Sequence, residues 1–446
     1  MNKARGCLLL LVTACLFGFF AVWFSWESED SQLRDLPADT FSVASHEYHG
    51  FFTSVPEHPY KPPQAQMIDV PDISGGNAIW GGTGRDSRGH IWIGLCAKKN
   101  TGASAHVVEY IPDEDLAADR GSVLAKMRQK GLYREGLSQA KIHTRIIQAS
   151  DGKLYFASMD ESGADFDLGT RPPTWGSHLW RLTPSTNAWE HLAAVPEGII
   201  AMTGSSHFIY ALGYFGHVLY QYNVKTGRLR SVEVGSVDAH MSRNIFSDFR
   251  GHVYVPRMAR TGITGGTVQA WLVEYDTELK EVGTTEMQHY FQASPNESHG
   301  ITAFQPMADG SIVYATSLGY LYRVRPAGSG KALVEKLGWL HPDGERYVSG
   351  LFTYAGKRYV MGLTRECKGT DCGKPVQWVV RNLESGFVLP EPLIINSEDP
   401  PPLRGCLLYG SVTRDNDGNF YAVGSHWGKQ RPLALQISCP PVEARE

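Results

Sequence analysis

His240-Met-Ser-Arg-Asn-Ile-Phe-Ser-Asp-Phe-Arg-Gly-His-Val-Tyr-Val-Pro-Arg257 is the stretch that decides the fold. An apolar pair, Ile245-Phe246, runs into a polar turn closed by Gly251, and an alternating strand, Val253-Tyr254-Val255, leaves it. Glycine suits the turn because it alone reaches positive φ without steric cost. Copies of this strand, turn and strand recur. Arg145-Ile146-Ile147 leads through Asp151-Gly152 to Leu154-Tyr155-Phe156, and Ala303-Phe304 through Asp309-Gly310 to Ile312-Val313-Tyr314. Val412-Thr413 leads through Asp417-Gly418 to Phe420-Tyr421-Ala422. Asp86-Ser87-Arg88-Gly89 precedes Ile91-Trp92-Ile93, and Tyr354-Ala355-Gly356 precedes Tyr359-Val360. A degenerate copy turns at Ser205-Ser206-His207 before Phe208-Ile209-Tyr210.

The turn positions 89, 152, 206, 251, 310, 356 and 418 lie roughly 45 to 63 residues apart, the period of a four-stranded propeller blade. The reading is an all-β, seven-bladed β-propeller over residues 64–446. The 47 glycines and 25 prolines fit a turn-rich β-protein, and 42 % hydrophobic residues supply a large core. A net charge of -4 argues against nucleic acid as partner. The last blade offers three strands, and Gln66-Met-Ile-Asp-Val70 supplies the fourth, closing the ring and removing its open edges. Residues 113–136, with Leu116, Val123, Leu124 and Met127 at helical spacing, read as a helical insertion.

Lys3 and Arg5 precede an apolar run from Gly6 to Trp26, long enough to span a bilayer. Residues 1–26 therefore read as an N-terminal transmembrane or signal-anchor helix, with a cleaved signal as the alternative. Residues 27–63 read as a linker and arm, and the body is expected outside the cytoplasm.

In such a ring the strands run A to D from the axis outward. Short A–B turns mark one face, and B–C loops with D–A connections mark the other, working face. The B–C loops over residues 96–106, 159–177, 257–269, 365–376 and 426–431 are long, whereas those of blades three and five are short. A face built of both is grooved and suits an elongated ligand. The D–A connections bring polar groups to the axis. His240 and His299 precede their turn glycines by equal counts, His143 sits two residues closer, and Arg145 aligns with Arg243. Tyr214, His217, Arg346, Tyr347 and Arg404 arrive from other blades. His143, His240, His299, Tyr214 and Arg243 are the expected catalytic set, and Arg145, His217, Arg346, Tyr347 and Arg404 the substrate-binding set. Such groups suit proton abstraction beside a carboxylate, where a cation neutralises the acid and Tyr or His moves protons. A three-histidine divalent-metal site is the variant, and solvated, merely structural polar groups are the plain alternative.

In an exported chain, Cys367–Cys372 and Cys96–Cys406 are expected disulfides, with a structural zinc on these four thiolates as the rival. Asn296-Glu297-Ser298 is a glycosylation triplet.

Asp86 to Gly94 (Asp-x-x-Gly, then Ile-Trp-Ile-Gly) and Asp151 to Phe156 resemble repeats of the Asp-Gly-turn propellers, which include streptogramin lyase and gluconolactonase-like proteins. The exported ring with a His/Arg/Tyr groove also looks like seven-bladed polysaccharide lyases, such as ulvan and oligogalacturonate lyases. That resemblance implies lyase action on a uronate polysaccharide. The alternative is a non-catalytic propeller binding a protein or glycan at the cell envelope.

Overall fold

A computed structural model describes residues 63–98, 102–163, 171–237, 240–261, 266–291, 299–354, 359–365, 376–386, 388–392, 394–395, 406–426 and 429–438. The N-terminal anchor and linker expected from the sequence lie outside them. No helix among the described residues is long and apolar enough to cross a membrane.

Seven sheets form the blades, antiparallel apart from Ile394–Ile395, which adds to the edge of blade seven in parallel. Each begins with an inner strand A and proceeds outward, as in blade three: Ile199–Gly204, Phe208–Gly213, Val218–Asn223 and Leu229–Glu233. The second strands are buried on both faces, as Ile91–Ala97, Leu154–Met159 and Tyr359–Arg365 all show. A strand sandwiched between neighbouring sheets has no solvent side, so its sequence reads as a continuous apolar run. The outermost strands are only partly buried, as in Leu116–Ser122.

Seven apolar clusters fill the seven spaces between consecutive blades. Blade seven and blade one meet through Tyr421, Val423 and Ala434 against Ile91, Ile93 and Val108. The expected closure is present, made by a strand that starts two residues earlier and ends three residues sooner than residues 66–70. Gln64–Met67 pairs antiparallel with Arg431–Ser438, with Ala65 opposite Ile437, so a segment preceding blade one completes blade seven.

The insertion in blade one is smaller than expected. Leu116 belongs to outer strand D, and the helix is only Val123–Gln129, capped by the Ser122 hydroxyl accepting from the Ala125 N–H. Helical spacing at Leu116 was fortuitous, because the strand pairs register by register with His106–Ile111. Strand A of blade two is likewise shorter than its apolar sequence implies, spanning Ile147–Gln148.

The lower turns carry a repeated polar latch. In blades one, four and seven an aromatic residue six positions after the turn aspartate donates to its Oδ2: Trp92 to Asp86 at 3.1 Å, Tyr254 to Asp248 at 2.8 Å and Tyr421 to Asp415 at 2.7 Å. In blades one and four an arginine two positions after the aspartate also bridges it to a glutamate on strand C. Arg250 lies 2.6 Å from Asp248 and 2.7 Å from Glu274, and Arg88 repeats this with Asp86 and Glu109. Both carboxylates in each pair are buried, so the guanidinium is what makes them tolerable there. Arg250→Ala should therefore cost about 3 kcal/mol, read as a lowered denaturant midpoint. A loss below about 0.5 kcal/mol, the size of an exposed pair, would contradict the latch's role.

Candidate functional site

The working face gathers cations and aromatic rings at the axis. Arg243, on the connection entering blade four, is their centre. Its Nη1 donates to the Trp80 carbonyl of blade one at 3.1 Å and to His143 Nε2 of blade two at 3.3 Å. Its guanidinium also lies 4.7 Å from the Tyr409 ring centroid of blade seven. None of those blades adjoins blade four on its own side of the ring, so this side chain reaches across the axis.

Trp80 arrives here because strand A of blade one is broken, as Gly76–Ala78 and Thr83–Arg85. Gly82 sits in the break, where a Cβ would fall 2.6 Å from the Ile142 carbonyl, which lets blade one approach blade two closely. The Trp80 ring stacks on His143 with centroids 6.3 Å apart and an interplanar angle of 9°, and packs on Tyr409 at 4.7 Å. Lys141 lies 4.7 Å over Trp80 and pairs with Glu161 at 2.7 Å.

On the other side, His299 Nδ1 and the Tyr347 hydroxyl share a 3.0 Å hydrogen bond, and the Arg365 guanidinium covers the Tyr347 ring at 4.1 Å. The Arg243 N–H donates to the His299 carbonyl at 2.9 Å, fastening the two halves. Deeper in the channel, Arg145 of blade two lies 4.6 Å over Phe304 of blade five. Those blades are not neighbours, so the contact crosses the channel beneath the throat.

Burial, and then the Arg243 guanidinium, hold the His143 and His299 imidazoles well below their ordinary pKa. Both are neutral at pH 7. Since Nε2 of His143 accepts from Arg243, its proton resides on Nδ1. Trp80 Nε1, His143 Nδ1 and Arg243 Nε are buried without a hydrogen-bond partner among the described residues. Three N–H groups are thus left unanswered at the throat, an arrangement whose chemistry suits an anion.

The expected residues divide. His143, Arg243, His299 and Tyr347 come together. His240 does not join them. Despite its equal spacing from the turn glycine, it is buried with Nδ1 2.9 Å from the Ser236 hydroxyl and Nε2 2.8 Å from the Tyr290 hydroxyl. Its ring stacks at 4.9 Å on His217, whose Nε2 lies 2.6 Å from the Pro256 carbonyl. This pair packs beside blade four. Tyr214 is buried against Met159 and Ile200. Arg346 donates to Asp343 at 3.2 Å. Arg404, Cys367, Cys372 and the triplet at Asn296 lie outside the described residues. Trp80, Lys141, Arg365 and Tyr409 were not singled out from the sequence. For Tyr409 and Arg365 a signal existed, since one lies on an inner strand and the other opens a long B–C loop.

The three-histidine metal site does not assemble. Among the described residues, the trios close enough to share an ion are Asp86/His90/Glu109 and Asp248/His252/Glu274, in the latches. There the guanidinium of Arg88 or Arg250 already bridges the two carboxylates. The Cys96–Cys406 clasp is not formed either. Cys96 is a free buried thiol directed at the Gly94 and Ile142 carbonyls, and burial raises its pKa to about 11, which opposes thiolate chemistry.

No known protein family and no curated protein matches the chain. Among solved structures, the extracellular domain of a protein assigned as a one component system of B. thetaiotaomicron aligns with a TM-score of 0.50 at 13 % identity, over 83 % of this chain and 40 % of that one. An extracellular domain assigned to a hybrid two component system of the same organism gives 0.48 at 13 % identity, over 84 % and 41 %. Kuenenia stuttgartiensis hydrazine synthase gives 0.49 at 11 % identity, over 83 % and 98 %. The chain is a seven-bladed β-propeller, and it spans about two fifths of the B. thetaiotaomicron chains.

Burial also pushes His178 and His217 down to about 4. Between about pH 6.5, the ordinary imidazole value, and pH 4 the unfolded chain then binds protons that the folded chain refuses. These groups therefore cost stability as pH falls through that window. Imidazole NMR at pH 5 should find both still neutral; titration near 6.5 would contradict their burial.

Proposed function

We propose that the chain is an extracytoplasmic, carbohydrate-active propeller whose throat grips a uronate residue of an acidic polysaccharide and eliminates across its C4–C5 bond. The apolar run Gly6 to Trp26 would tether it to the membrane. One observation carries this reading: Arg243 and Arg365 flank the neutral His299, which shares a hydrogen bond with Tyr347. Both cations are held in place by the aromatic rings beneath them.

In this reading the guanidinium groups take the uronate carboxylate, which acidifies the neighbouring C5–H bond. Neutral His299 takes that proton, the electron pair forms the C4–C5 double bond, and the C4–O bond breaks. The Tyr347 hydroxyl gives a proton to the departing oxygen and recovers one through His299. Removing a carboxylate contact should weaken binding, whereas removing the base should stop turnover and leave binding in place.

A second reading is a binding module without turnover. The orphaned N–H groups favour it, since they answer an anion whether or not a bond breaks. A solved structure sharing the fold is itself named as an extracellular domain of a one component system.

Incubation with oligogalacturonates, followed by the ultraviolet absorbance of the unsaturated product and by calorimetry, separates the readings. Arg243→Ala should weaken binding about 100-fold. His299→Ala should abolish product while changing affinity less than about threefold. Binding without product in the wild type would establish the binding module instead, and absence of both would overturn the proposal.

A further inference from the structure

The throat does not use a second group of rings at the outer corner of blade five. Tyr320 opens strand C (Tyr320–Arg325), Trp339 closes strand D (Leu333–Trp339), and His289 lies on the connection arriving from blade four. All three positions belong to the working face. Their ring centroids form a closed triangle, 4.6 Å from His289 to Tyr320, 4.7 Å from His289 to Trp339 and 5.1 Å from Tyr320 to Trp339. His289 is exposed and the other two are half-buried.

The corner is uncovered because blade five has a minimal B–C turn. The Gly319 N–H donates to the Thr316 carbonyl at 2.9 Å, and Gly319 adopts a φ of +89°. A Cβ there would lie 2.3 Å from the Arg346 carbonyl, so the turn admits no side chain that overhangs the rings. The B–C connections of blades four and six, residues 261–267 and 366–376, are longer in sequence on either side.

The rings are also held in place. The Thr316 hydroxyl donates to the His289 carbonyl at 2.7 Å and accepts from the Tyr320 N–H at 3.2 Å, tying two of the three segments together. From blade six the Arg381 guanidinium donates to the carbonyls of Trp339 and Leu337, fixing the end of the outer strand. Arg381 is a positioning residue. Pre-ordered rings bind with little loss of side-chain freedom.

We infer that this corner is an outer subsite that stacks a further pyranose ring of the same acidic glycan whose uronate is held in the throat. The inference rests on the throat reading for the identity of the chain. The aliphatic C–H face of a pyranose packs on an aromatic ring, and Trp and Tyr present large, stiff faces of that kind. A ligand reaching both sites must be an extended oligosaccharide. Short ligands reach only the throat.

Calorimetry with galacturonate disaccharide and octasaccharide tests this. Wild-type protein should bind the octasaccharide about tenfold tighter than the disaccharide. Trp339→Ala should erase that gain and leave disaccharide affinity at the wild-type value, while Trp339→Phe, which keeps a ring, should retain most of it. Tyr320→Ala, with circular dichroism as the folding check, gives an independent second variant. A full length-dependent gain in both alanine variants would overturn the subsite and leave the throat reading intact. Disaccharide binding unaffected by Arg243→Ala would overturn the throat reading and leave the Trp339 comparison to judge the corner. No binding of either saccharide to the wild type would overturn both.

Discussion

The structure depends on blade-to-blade apolar contact that must close on itself. Each of the seven interfaces holds its own cluster of buried side chains, and the last of them joins the end of the sequence to its beginning. Burial of this kind is non-directional and fixes no angle by itself. Angle comes from the strand borrowed by blade seven, whose backbone pairing pins Ala65 against Ile437. With the ring closed, the starts of the blades have no freedom but to face one another. Groups as remote in sequence as Trp80 and Tyr409 then pack at 4.7 Å.

The two faces handle charge in opposite ways. On the lower turns, carboxylates are buried and answered: Asp248 has Arg250, Tyr254 and backbone N–H groups. Such complete satisfaction is what a structural network requires. On the upper face, cations are assembled with aromatic rings and keep N–H groups in reserve. Satisfied polar groups stabilise, and unanswered ones are what a ligand could use. That contrast, more than the count of histidines, is why the candidate site is put at this end of the molecule.

The blade count and the source of the seventh blade's outer strand were legible in the sequence, because the turn glycines and the period-two strands are local signals. Within the site, His143, Arg243, His299 and Tyr347 were legible because a D–A connection must pass the axis. His240 shows the limit of that reasoning. Counting back from the turn glycine places it level with His299, yet side-chain direction on an irregular connection is not periodic. Tyr290 and His217 offered it a buried hydrogen bond and a stacking partner. Arg346 pairs with the nearby Asp343. Trp80 was invisible because its position depends on the break at Gly81 and Gly82, which only the crowding by Ile142 explains.

The claim at the centre of this account is that an anion belongs on the axis against Arg243. A crystal structure with a bound tetragalacturonate tests it most directly. The account places one carboxylate within hydrogen-bonding distance of the Arg243 guanidinium. A saccharide seated elsewhere on the ring, with the throat filled only by water, would contradict it.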